Sequence, residues 1–262
     1  MKKVSNLFLI ALFVFSIIGM SSCDDEGEDG ITTTTDCQTD GTLDQSTNAD
    51  IEDMRQAMVI FRSSLSDDLL EQGSNCLDDE RFYLWHNTPA NGTRDGITYG
   101  DLSDGQLTNF KAVLQLFLST EGYQKVYEIT ELAEGLLNEN NANVWSPDYY
   151  SIDMFGEPET SGSWGFQLDG HHCAINFLVH GDNISIVPAF LGGEPIVGTF
   201  DGIGFDIFKD ERDLALNLYS SFTSAENASA VSTGSSATMV VGPANQNGQP
   251  DPFRGAYDYS GF

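Results

Sequence analysis

Two adjacent histidines, His171 and His172, close the segment WGFQLDGHH (residues 164–172), so half of the chain's four histidines fall on one short connection. Imidazole titrates near neutrality, and its neutral form ligates transition metals. Two neutral imidazoles and a carboxylate suit zinc, copper, nickel or iron at a site that keeps a coordination position open. Candidate third ligands are Glu194 in LGGEP, Asp169 in the same segment and Glu134 upstream. With Glu194 as the third member, the candidate metal set is His171, His172 and Glu194, for a divalent transition metal. Without metal, His171 and His172 are the catalytic candidates, as general base and as oxyanion or carboxylate binder. Trp164, Asn176 and Glu194 are the candidate ligand-binding positions beside them. The competing structural reading has one imidazole hydrogen-bonded in the core and the other in solvent. The chain contains neither CxxC nor HExxH, so the strong zinc signatures are absent.

The pair must be positioned by strands. Trp164, Phe166 and Leu168 alternate with Gly165 and Gln167, and Cys173, Ile175, Phe177 and Val179 alternate with Ala174, Asn176 and Leu178. Asp169-Gly170 is a tight-turn dipeptide, and Gly181-Asp182-Asn183 is a second turn before Ile184 to Phe190. Together these predict a three-stranded antiparallel meander. Successive strand residues face opposite ways, so both histidines reach one site only if the chain is still turning after Gly170. His180 lies about 26 Å along the strand from His172, at roughly 3.3 Å per residue, too far to share one ion. His86, in RFYLWHNTP, joins the pair only if the fold brings it there. Trp85, Trp164, Tyr149 and Tyr150 are candidates to line a sugar or peptide cleft, with core packing as the alternative for each.

Helical periodicity surrounds the strands. Ile51, Met54, Met58, Phe61 and Leu65 recur at spacings of three and four, predicting a helix capped by Asn48 or Asp50 and ended by Gly73. Ser103-Asp-Gly-Gln106 has the capping-box pattern ahead of Leu107, Phe110, Val113, Leu114, Phe117 and Leu118. A third helix is predicted from Glu121 to Asn138, with Glu128, Glu131 and Glu134 on a solvated face, and a last one from Glu211 to Phe222 with Asp210 as cap. The fold class is α+β: one domain of amphipathic helices packed on an antiparallel meander sheet, spanning residues 50–232. Residues 233–262, rich in Gly, Pro, Ser and Asn, read as loop.

The start of the chain reads as an export signal over residues 1–22: Lys2 and Lys3, then an apolar run of 14 residues from Leu7 to Met20, then Ser21 and Ser22. That run is short for a membrane span, which takes about 20 residues. Small residues before Cys23 resemble a lipobox, in which Cys23 becomes the lipidated first residue; ordinary cleavage nearby is the competing reading. Residues 23–49, acidic and poor in large apolar side chains, read as a disordered tether. Acids directly behind Cys23 resemble the surface-export signal of lipoproteins in the Bacteroidota, implying an outer-membrane lipoprotein at the cell surface, with a periplasm-facing one as the alternative. Losing Lys2 and Lys3 with the signal takes the net charge from −29 to −31, which repels phosphate backbones and argues against nucleic-acid binding. The implied partners are the membrane, through the lipid, and a small molecule, glycan or peptide handed to an outer-membrane partner. In an oxidising compartment Cys37 and Cys76 are candidates for a disulfide, and Cys173, in an apolar run, reads as a buried thiol.

The ordered series TYGDLSDGQ, LSTEGYQKVYEI, DMFGEPETSGSWGFQLDGHHCAINFLVHGD, VPAFLGGEP and DERDLALNL resembles an uncharacterised bacterial family, the domain of unknown function 3500, from about Asp53 to about Val241. The resemblance implies an exported protein with helices beside an antiparallel sheet and no established activity. Its motif positions here are Trp164, Gly165, Gly170, His171, His172, Asn176, Pro188 and Glu194. It further implies a second helical and strand region after Phe253, beyond which this sequence has only nine residues.

Overall fold

Asn48 caps the first helix, α1 (Ala49–Ser64), its side chain accepting from the Asp50 N–H, and Ile51, Met54, Met58 and Phe61 form the buried stripe. The predicted run on to Gly73 is broken. Leu65 is extended (φ −78°, ψ 153°), and Ser66 accepts from the Leu69 N–H to start a separate helix, α2 (Asp67–Gly73). Serine competes for backbone donors better as a cap than inside a helix, which makes it the break point. The capping box of Ser103 and Gln106 opens α3 (Asp104–Phe117) as predicted. The third predicted helix is compound: α4 (Thr120–Tyr127), a π-helical turn (Glu128–Ala133) and α5 (Glu134–Asn141). Past the strands come α6 (Lys209–Ser221) and α7 (Ser224–Ala230). The N-cap of α6 is Phe208, without a side-chain cap bond, so Asp210 lies inside the first turn rather than capping it.

This computed structural model describes residues 46–89, 96–160 and 162–230. The described part belongs to one compact unit, Thr33–Phe262. The signal segment, Cys23, the tether up to residue 45, Cys37 and the stretch 233–262 lie outside the described residues. Cys76 is disulfide-bonded, and Cys173 is a buried free thiol whose ionisation burial pushes up. No helix among the described residues is long and apolar enough to cross a membrane.

The predicted meander is present as β4 (Ser163–Gly170), β5 (Cys173–His180) and β6 (Asn183–Leu191). Three further strands extend it: β1 (Ser74–Asn75), β2 (Ile97–Thr98) and β3 (Ser151–Phe155), in the order β1-β3-β4-β5-β6 with β2 also on β3. The β1–β3 pairing is parallel and the others are antiparallel, so the sheet is mixed at that edge. A separate hairpin, β7 (Val197–Phe200) and β8 (Ile203–Asp206), follows.

Strand parity divides the sheet into two chemically different faces. Trp164, Phe166, Leu168, Cys173, Ile175, Phe177 and Val179 enter the helix-covered core, where Phe117 meets Trp164 and Phe166 edge-on and Phe166 stacks on Phe177 at 4.4 Å. Truncating one such ring to Ala costs about 3–5 kcal/mol. The other face carries Asp153, Gln167, Asp169 and Asn176, buried beneath the segment that follows β1. There Asn176 donates to the Phe82 carbonyl at 2.8 Å, and Gln167 donates to Asn176 at 2.8 Å. Buried polar groups need such partners, and here they fasten an irregular segment onto the sheet.

Candidate metal centre

The turn between β4 and β5 is made by the histidines themselves. Gly170 pairs with Cys173, leaving His171 and His172 as the two-residue loop, with His172 left-handed at φ 60°. The Asp-Gly dipeptide read as the turn is therefore strand. Its residues serve other purposes: Asp169 Oδ2 accepts the His86 N–H at 2.8 Å, and Gly170 lets the Tyr150 ring pass where a Cβ would lie 1.8 Å from it. From there the Tyr150 hydroxyl donates to the His171 carbonyl at 2.6 Å. The His172 N–H donates to the Asn87 carbonyl at 3.0 Å, and the Gly192 N–H donates to the His172 carbonyl at 2.7 Å. Both histidine backbones are thus held from outside the turn.

Antiparallel topology delivers the carboxylate. Cys173 pairs with Leu191, so the end of β6 lies beside the start of β5, and Glu194, three residues further on, reaches the histidine turn. Its Oε2 lies 3.4 Å from His172 Nε2 and 3.8 Å from His171 Nε2. The two imidazole centroids are 4.0 Å apart and inclined at 33°. One ligand atom from each of His171, His172 and Glu194 falls within 4.8 Å of the others, and the group could hold a metal ion. Burial and then the neighbouring His171 lower the His172 pKa against the opposing pull of Glu194, and the net lowering favours the neutral, ligand-competent ring.

Behind His171, its Nδ1 bonds Glu134 Oε2 at 2.8 Å, with the two side chains only 5% and 4% exposed. A carboxylate accepts, so this bond needs a ring hydrogen on Nδ1, and the ring it holds points Nε2 toward Glu194. Metal-binding histidines commonly carry such a carboxylate on the far nitrogen. The π-helical turn directly precedes Glu134, and π-turns recur at functional sites.

The other sequence candidates separate from this group. Glu134 is not on a solvated face but buried, and it holds His171 from behind. Asp169 points to the polar sheet face and bonds the His86 backbone. His86 itself is exposed and outside the group. His180 sits at the far end of β5, its Nδ1 2.6 Å from Ser163 Oγ. Trp164 is a core residue at 1% exposure, paired with Val179 at the other end of β4, and Asn176 is buried on the polar face, bonded to Phe82 and Gln167. Trp85 and Tyr150 are buried at 1%, and the Tyr149 hydroxyl donates to the Ala142 carbonyl, so these aromatics do not line a shared open cleft.

Residues 47–260 match the family model described as protein of unknown function, DUF3500. The chain is a DUF3500 protein. No curated protein matches it, and no solved structure matches it. For this DUF3500 chain the chemistry rests on the site itself: two imidazoles and a carboxylate on two neighbouring loops, one imidazole fixed by a buried acid.

Proposed function

We propose that this DUF3500 protein holds a divalent transition metal through His171 Nε2, His172 Nε2 and Glu194, and uses it for hydrolysis by metal-activated water. One observation carries the reading. Glu134 orients His171 so that its Nε2 faces Glu194 Oε2 across 3.8 Å, with His172 Nε2 3.4 Å from the same oxygen. A cation held among the three would be ligated by all of them. Ligands 2.0–2.2 Å from a tetrahedral metal lie roughly 3.4 Å apart, close to the spacings found here. Glu194 is exposed, so the outer side of the group is accessible for water or an oxygen-donor substrate. A metal held there would supply acidified water as the nucleophile. Iron in a two-histidine, one-carboxylate set would instead serve oxidative chemistry, and the metal found decides between the two. The aromatic-lined glycan or peptide site loses support, because Trp85, Trp164 and Tyr150 are buried.

We propose also that the domain lies outside the cell, joined to the outer membrane by a lipid on Cys23 and carried to the exterior by the acidic residues behind it. Labelling with a lipid precursor, lost in Cys23→Ala, tests the anchor; protease access in intact cells tests the side.

Elemental analysis of purified protein after exposure to zinc, iron, manganese and nickel, followed by dialysis, tests the site. Near-stoichiometric metal in wild type and its loss in His171→Ala and His172→Ala are expected. Equal, negligible metal in all three removes the proposal.

A further inference from the structure

Charge and surface around the histidine group narrow what could react there. The groups acting electrostatically on His172 are His171, Glu194 and Glu134, an imidazole and two carboxylates. With both histidines neutral, a divalent ion and these two carboxylates sum to zero charge. Basic side chains are engaged elsewhere. Of the eleven Lys and Arg residues, the four at Lys2, Lys3, Arg94 and Arg254 lie outside the described residues, and each of the other seven is ion-paired with a carboxylate that is neither Glu134 nor Glu194. Beside Glu194 the surface is apolar instead. Ile196 and Val197, two and three residues on, are exposed by 38% and 54%. The loop folds closely there, with Ile196 Cγ2 3.1 Å from where a Cβ on Gly193 would lie. The Ile207 N–H donates to the Ile196 carbonyl at 3.0 Å and holds this shoulder in place.

We infer, resting on the metal site proposed above, that the centre acts on uncharged carbonyl substrates, carboxylic esters or amides with an apolar acyl group, and not on phosphoesters. A phosphomonoester brings about two negative charges at neutral pH. Sites that transfer phosphoryl groups gather Arg, Lys or a second metal around that charge. A centre whose charge is already balanced has no surplus to offer it. A neutral carbonyl asks for less, since one ion suffices to polarise its oxygen and to acidify the attacking water. The water oxygen bonds to the carbonyl carbon, and the bond from that carbon to the alcohol oxygen or amine nitrogen breaks. The leaving atom takes one of the water's protons, and the other goes to solvent as the acid ionises. An acyl chain laid over Ile196 and Val197 covers apolar surface that is otherwise in water. The net charge of −29 favours the same class, because it repels anions at long range.

Zinc content of the loaded full chain is measured first, and its absence removes the metal site and this inference with it. With zinc bound, para-nitrophenyl butyrate should be hydrolysed about tenfold faster than para-nitrophenyl acetate, whose acyl chain is shorter by two methylenes. Both activities should disappear in His172→Ala, and para-nitrophenyl phosphate should show no zinc-dependent hydrolysis. Cobalt(II) in place of zinc gives a readout that needs no turnover. Acetohydroxamic acid, which arrives uncharged, should alter the visible spectrum at a concentration about tenfold below that at which phosphate does. Val197→Lys sets a cation beside Glu194 and should tighten phosphate binding by about tenfold with zinc content unchanged. Zinc-dependent phosphatase activity, or phosphate binding to the cobalt form as tightly as the hydroxamic acid, overturns the inference and leaves the metal site standing. Equal rates on the two esters remove the apolar acyl group, and if neither ester is hydrolysed the cobalt titration decides.

Discussion

Glu134 is a buried carboxylate that supplies no ligand atom yet holds the ring of His171, which does. Glu134→Gln preserves its size and removes its acid, and losing such a carboxylate from behind a metal-binding histidine weakens metal binding by about 10–100-fold. Zinc titration is the check, with near-wild-type affinity counting against the positioning role. His172 offers a second test, because its left-handed backbone at φ 60° is strained for any residue but glycine. Both His172→Gly and His172→Ala should abolish metal binding, but the Gly variant relieves the strain that Ala keeps and should be the more stable of the two by about 1 kcal/mol. Urea midpoints of the two variants separate these outcomes. The histidines and Glu194 were legible as chemistry-bearing residues in adjacent connections. The role of Glu134 was not: at a 3.6-residue period it falls with Glu128 and Glu131, and the extra residue of a π-turn rotates it by about 100°.

The segment after β1 is the element on which His172 depends. Disulfide-bonded at Cys76, it crosses the polar sheet face, donates the His86 N–H to Asp169, and presents the Asn87 carbonyl to the His172 N–H. Asp169→Ala removes a charged acceptor and should cost about 1.5–3 kcal/mol. It should also weaken zinc binding, although Asp169 is no ligand. Unchanged zinc affinity in a destabilised variant would sever the link between this segment and the site. Helix stripes, the capping box at Ser103 and the alternation of β4 and β5 were readable because each is a local periodicity. β1 and β2, two residues each, have no period to read and form only on β3. Asp169-Gly170 misled for a related reason: both residue types favour turns, but here a distant backbone N–H and a tyrosine ring required them.

Across the whole molecule, electrostatics change sign with pH. Glu52, Asp206, Glu211 and Glu226 have pKa values lowered by hydrogen bonds to Arg55, Arg212, Lys125 and Thr223, that of Glu52 to about 2. A lowered folded-state pKa contributes stability that is complete above the unfolded value and lost as pH falls through the folded one. Melting temperature should therefore drop between about pH 4.5 and pH 2. Added salt should raise it at pH 7, by screening a chain of net charge −29, and lower it near pH 3, where the remaining pairs are favourable. Thermal scans at both pH values check this, and salt effects of one sign at both would contradict it.

The meeting of the β4–β5 turn, the loop after β6 and the start of α5 has a thermodynamic consequence. These are separate stretches of chain, and an ion coordinated by the first two, with His171 backed by Glu134 on the third, would cross-link them as a staple does. Binding only to the folded form at a hundred times its dissociation constant adds about 2.7 kcal/mol. The resistance of the domain to unfolding would then follow the supply of metal in its surroundings.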